Sequence, residues 1–294
     1  MLKMRFCITI IAIINLETQA PQFAQAEEKS FPPAPVKEVL DIGYFEGKDK
    51  DSSKHKLDIY LPSKPQNAPV FFFVHGGAWV QGDKNFLGIY SAIGRLAAQN
   101  GMIGVVISYR LTPKVKHPSH AEDVARAISW TTKNIKNYGG DPERIILCGH
   151  SAGGHLVSLV SCDQTYFKKE DINPNSIKGV ISISGVYEIP QLLLGNVFGK
   201  DPQNKIKASP ITHVRKELPP FLLLCADKEL PLCTKTDCQK FQKALIDNGN
   251  IVIFEEISSN NHMKMVFDAG NPTRKVANLI LQFCKQVATQ NKNQ

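Results

Sequence analysis

Apolar residues fall in short unbroken runs separated by longer stretches of helical periodicity. Val70-Phe71-Phe72-Phe73-Val74, Ile145-Ile146-Leu147-Cys148 and Phe221-Leu222-Leu223-Leu224-Cys225 lack the in–out alternation of a half-exposed strand. Strands covered on both faces have this pattern, so a parallel sheet under two helix layers is expected. The strand expectations are 39–44, 56–60, 70–75, 104–108, 145–149, 179–184, 221–225 and 251–257. Helical spacing covers 86–100, 119–136, 152–161, 237–248 and 272–288. Tyr138-Gly139-Gly140 and Asn248-Gly249 are helix stops, and Pro272 suits a first helical turn. Alternation of the two element types predicts one doubly wound α/β domain over residues 27–294. Only 185–210 breaks the rhythm; apolar, irregular and interrupted by Gly and Pro, it is expected to form a lid or pocket wall.

Residues 1–26 stand apart. Lys3 and Arg5 lead into an apolar run over 6–14, too short to cross a bilayer, and Ala24-Gln25-Ala26 has the small-x-small form. A signal peptide cut after Ala26 is expected, with a secreted or periplasmic mature chain. Six cysteines follow Cys7. Cys148 and Cys225 sit in core strands, whereas Cys233 and Cys238 flank a helix start and are candidates for a local disulfide. None pairs with histidine at zinc spacing, so no metal site is expected.

Composition narrows the function classes. With 43% hydrophobic and 21% charged residues the chain is globular rather than disordered or coiled-coil. The net charge of +8 raises nucleic acid as a partner, but only 7 of the 35 basic residues are Arg and they are dispersed. Nucleic-acid readers cluster Arg, so that partner is set aside. No segment after residue 26 reaches 18 consecutive apolar residues, and stable membrane insertion is not expected. The sequence leaves the oligomeric state open.

The chemistry concentrates at Gly149-His150-Ser151-Ala152-Gly153, between an apolar strand and a helix. A nucleophilic serine needs a tight strand-to-helix turn that lifts its hydroxyl out of the sheet, and the flanking glycines leave room for it. The helix N-terminus then aims free N–H groups at a developing oxyanion. A second glycine pair follows the strand before it, in His75-Gly76-Gly77-Ala78-Trp79. The amides of Gly76, Gly77 and Ala152 are therefore the expected oxyanion donors. In this architecture the order is nucleophile, acid, histidine. Of the histidines after Ser151, His155 is tied to the same helix and His213 precedes the last two strands. His262, in a loop after the last strand, is the expected general base. Trp79, His150 and Tyr187 are candidates for the substrate pocket. Two carboxylates, Asp227 and Glu229, follow the strand over 221–225 and remain alternatives for the acid.

These segments, together with Ser108-Tyr109-Arg110-Leu111 and Asp141-Pro142-Glu143-Arg144-Ile145, resemble the serine esterases of the α/β-hydrolase fold. The likeness is to the branch of hormone-sensitive-lipase-like and kynurenine-formamidase-like carboxylesterases, over roughly residues 39–285. It implies a mostly parallel eight-stranded sheet flanked by helices, and cofactor-free hydrolysis of small to medium carboxylic esters. It also implies an acid three positions beyond the small residue that ends its strand. Counted from Ala226 this is Glu229, with Asp227 kept as the alternative. Arg110 and Asp123 match a structural ion pair of that family. Ala78 departs from the pattern, standing where many lipase-like members carry a third glycine. An aryl-formamidase or amidase with the same triad, or a non-catalytic binding module on this fold, remains an alternative.

Overall fold

Eight strands form one sheet, in the order β1-β2-β4-β3-β5-β6-β7-β8, in a computed structural model that describes residues 35–289. They are β1 (Lys37–Gly43), β2 (Lys56–Leu61), β3 (Ala68–Val74), β4 (Ile103–Ile107), β5 (Gly140–His150), β6 (Ile177–Ile183), β7 (Phe221–Lys228) and β8 (Val252–Asn261). β1 and β2 join antiparallel at one edge, and every pairing from β4 through β8 is parallel. The helices are α1 (Ile89–Gln99), α2 (Ser119–Asn134), α3 (Ala152–Cys162), α4 (Gln164–Lys169), α5 (Gly195–Phe198), α6 (Pro202–Ala208), α7 (Lys235–Asp247), α8 (His262–Ala269) and α9 (Lys275–Thr289). The signal peptide expected over residues 1–26 lies outside the described residues.

The unbroken apolar runs have a direct cause. Successive side chains of a strand point to opposite faces. Phe72, Val74 and Leu147 pack into one layer with Val124 and Ile128 of α2, Leu156 of α3 and Phe241 of α7. Phe71, Phe73 and Ile146 pack into the other with Ile93 of α1, Met265 and Val266 of α8, and Ile280 of α9. Phe71, Phe72 and Phe73 are all at most 2% exposed. Each such burial contributes roughly 1.5–3 kcal/mol relative to exposure.

All the expected strands and long helices form, with shifted ends, and three differences bear on the site. β8 continues to Asn261, and His262 opens α8 rather than lying in a loop. The Asn261 side chain caps α8 by accepting from Lys264 N, and Met265, Val266 and Ala269 bury against the sheet. Eight residues show too little periodicity to declare a helix. Segment 185–210 is only partly a surface insertion: Tyr187, Ile189, Val197 and Phe198 are buried, while Leu192 is 95% exposed. Finally, Cys233 and Cys238, the candidates for a local disulfide, are buried free thiols. Thr234 and Asp237 form a capping box that starts α7.

Arg110 and Asp123 pair as expected. Nε and Nη2 reach the two carboxylate oxygens at 2.8 and 2.7 Å, and His55 Nε2 lies 3.0 Å from Oδ1. Burial disfavours the Asp123 carboxylate, but His55 and Arg110 more than offset that and hold its pKa below the usual range. The pair ties the segment after β4 to α2.

Candidate active site

The sequence-predicted residues leave the carboxyl ends of adjacent parallel strands. Val74 pairs with Gly149, Gly149 with Ser182, and Ile183 with Leu224, which aligns the ends of β3, β5, β6 and β7. Ligand sites of open α/β sheets form along such an edge. Ser151 sits between β5 and α3 with φ 55° and ψ −119°, a conformation costly for a side-chain-bearing residue. Its amide donates to Ile183 O at 2.8 Å. The flanking glycines are required by contact. A Cβ on Gly149 would stand 2.3 Å from Gly153 O, and one on Gly153 only 2.1 Å from Val74 O.

The loop after β3 is clamped through its carbonyls. Tyr109 donates its hydroxyl to His75 O at 3.2 Å, and His75 Nδ1 lies 2.6 Å from Gly76 O. In a trans peptide the next N–H points opposite to the carbonyl, so these bonds set the directions of the Gly76 and Gly77 amides. Neither amide, nor that of Ala152, donates to a protein acceptor among the described residues. Gly77 has φ +116°, and a Cβ there would overlap Gln81 O. On Gly76 a Cβ would fall 3.2 Å from Ser151 Cβ, so this loop lies directly against the serine.

His262 Nδ1 meets Glu229 Oε2 at 2.6 Å, with side-chain exposures of 7% and 2%. The second Glu229 oxygen accepts from Ala226 N at 2.8 Å and from the Ser184 hydroxyl. Asp227 turns the other way. It is exposed and accepts from the amides of Ser259 and Asn260 at 2.8 and 2.9 Å, bonds that lower its pKa. Asp227 thus fastens the chain leading into His262, and Glu229 touches the imidazole.

The three residues expected at the substrate pocket are all buried. His150 is 2% exposed and its Nε2 lies 3.0 Å from His262 O. Trp79 is 3% exposed, donating Nε1–H to His155 Nδ1 at 3.2 Å and packing edge-on to Phe198. Tyr187 is 1% exposed, stacked on Phe241 at 4.4 Å with its hydroxyl on Ser182 Oγ. Tyr187 therefore packs in the core rather than on a pocket wall, because β6 and α7 enclose its ring. Ser184 was not anticipated from the sequence. A small polar residue just after a strand flanked by the nucleophile and acid strands is the signal that would have found it. Two cavities of about 620 Å³ lie elsewhere, and neither is lined by Ser151, Glu229 or His262.

This sheet, with a strained serine at its strand-to-helix turn, defines an α/β-hydrolase fold. A gut-microbiota carbohydrate esterase in truncated form superposes with a TM-score of 0.74 over 90% of this chain and 100% of its own, at 18% identity. The chain belongs to the BD-FAE family, whose profile matches residues 57–245. It is 29% identical to esterase LipC of Mycobacterium tuberculosis over 81% of its own length and 63% of that protein's. It is 27% identical to kynurenine formamidase of Danio rerio, over 78% of this chain and 75% of the fish protein. The chain spans between 40% and 63% of the length of LipC and two further mycobacterial relatives.

Proposed function

We propose that this chain is an exported serine carboxylesterase acting on small to medium carboxylic esters through Ser151, His262 and Glu229. Two observations carry the reading: the 2.6 Å bond between His262 Nδ1 and Glu229 Oε2, and the nucleophile-elbow conformation of Ser151. Nδ1 is engaged by the carboxylate, so Nε2 is left to take the Ser151 proton as Oγ attacks the ester carbonyl. The amides of Gly76, Gly77 and Ala152 receive the oxyanion, each such donor being worth on the order of 3 kcal/mol of barrier. The imidazolium then protonates the leaving alcohol. Water, deprotonated by the same histidine, attacks the acyl-enzyme and releases the acid with Ser151 restored. Export rests on the tripartite leader over residues 1–26.

The likeness to kynurenine formamidase favours a second reading, aryl-formamide hydrolysis by the same residues. One panel separates the two: p-nitrophenyl esters from acetate to palmitate, acetylated sugars, and N-formyl aryl amides. Ester turnover above formamide turnover supports the carboxylesterase, and the reverse order favours the formamidase. Loss of neither activity in Ser151→Ala overturns the shared mechanism.

A further inference from the structure

We infer that His150 is a positioning residue that fixes the distance between the oxyanion loop and the histidine helix across Ser151. The inference rests on the serine-hydrolase reading and goes beyond it by giving a task to a side chain that has no step in the mechanism.

Three contacts carry it. On one side, the His150 ring bonds the main chain of the expected base, Nε2 to His262 O at 3.0 Å, with the two rings 4.8 Å apart and tilted by 44°. On the other, it lies against Gly76: a Cβ built there would be 2.9 Å from His150 Nδ1 and 3.0 Å from His150 O. The ring is 2% exposed, so it meets these two neighbours and not solvent. One imidazole thus spans from a candidate oxyanion glycine to the first residue of α8, alongside the nucleophile to which it is peptide-bonded.

The chemistry of the bond fixes the tautomer. A carbonyl only accepts, so Nε2 carries the proton and Nδ1 is bare, in keeping with its lack of any hydrogen-bond partner. Burial, and secondarily the charge His262 can carry, push the His150 pKa down to about 3. The ring therefore stays neutral while His262 takes and returns the Ser151 proton, with the Glu229 carboxylate bonded to His262 Nδ1 as the balancing charge. A neutral donor holds the backbone of His262 without repelling its imidazolium. The requirement for a flat ring against Gly76 also explains why a side chain at position 76 has no room.

The test compares two substitutions of similar length, His150→Gln, which can still donate to His262 O, and His150→Met, which cannot. Readouts are kcat and KM on p-nitrophenyl acetate, the rate of Ser151 phosphonylation by a fluorophosphonate, and the melting temperature. The expected result is a tenfold or greater fall in kcat and labelling rate for His150→Met, with KM within about twofold and most of the loss recovered in His150→Gln. Equal losses in both variants, an effect confined to KM, or wild-type kinetics in His150→Met would overturn the positioning role. Should His150→Met not fold, nitrogen NMR of the wild-type protein decides: a neutral Nε2–H tautomer at pH 6–8 supports the bridge, and an Nδ1–H tautomer or an imidazolium overturns it. A wild-type protein that neither labels nor turns over esters or formamides removes the serine-hydrolase reading, and this inference with it.

Discussion

Glu229 holds His262 with one carboxylate oxygen, at 2.6 Å from Nδ1, and is itself held by the other, through Ala226 N at 2.8 Å and the Ser184 hydroxyl. A carboxylate fixed at both oxygens cannot swing away when the imidazole turns over a proton. Removing the charge of an acid in this position costs on the order of 10,000-fold in kcat. Glu229→Gln should approach that loss, whereas Asp227→Asn, which keeps one acceptor for the Ser259 and Asn260 amides, should stay within about tenfold of wild type. Steady-state kcat with circular dichroism as the folding control reads both. A crippled Asp227→Asn beside a near-normal Glu229→Gln would reverse the assignment.

Ser151 should be the sole site of fluorophosphonate labelling, since only a serine with a base and oxyanion donors reacts at neutral pH. Ser151→Ala should abolish labelling and turnover together. His262→Ala should lower kcat by at least roughly 10,000-fold, because no base is left to take the Ser151 proton, and the elbow and oxyanion amides that remain support only a residual rate. Intact-mass spectrometry followed by peptide mapping identifies the labelled residue; a label on any other serine contradicts the site.

Low pH should weaken the fold well before the carboxylates protonate. Burial pushes His75, His117 and His120 down to about 4, and His150 and His155 down to about 3. In the unfolded chain each ionises near 6.5. Between those values the unfolded state binds protons that the native state refuses. Stability is therefore full above about pH 6.5 and declines as pH falls toward 4 and 3. Scanning calorimetry should give a melting temperature that falls steadily from pH 7 to pH 5. A flat profile over that range would show that these rings titrate normally.

The elbow glycines should be intolerant for steric reasons alone. Gly153→Ala places a Cβ 2.1 Å from Val74 O and 2.6 Å from His75 O, both backbone atoms that cannot step aside. A loss of about 3 kcal/mol or more in urea unfolding is expected, alongside lost activity. Gly195→Ala, whose Cβ meets only Lys200 Cγ at 3.8 Å, is the control and should change stability little. Equal stabilities would mean that α3 can shift away from β3.

Sequence reading reached the sheet because burial on both faces leaves a local trace: Phe71, Phe72 and Phe73 alternate between two helix layers, and so all three must be apolar. It reached Ser151 and the glycines around it because contacts across the elbow are close enough in sequence to be written as a spacing. Residue pattern alone left Asp227 and Glu229 open, and only the family resemblance favoured Glu229, because the two differ in where the chain turns after β7 and in what β6 and β8 offer there. Ser184 and the Ala226 amide supply bonds to Glu229, while the Ser259 and Asn260 amides take Asp227. Tyr187, Trp79 and His150 were likewise readable as residue types suited to a pocket, yet all three are enclosed by elements distant in the chain. Periodicity and turn chemistry are set by neighbours along the backbone and are legible in one dimension. Which carboxylate meets the imidazole, and which aromatic ring is walled in, depends on strand order and register, and these exist only once the sheet has formed.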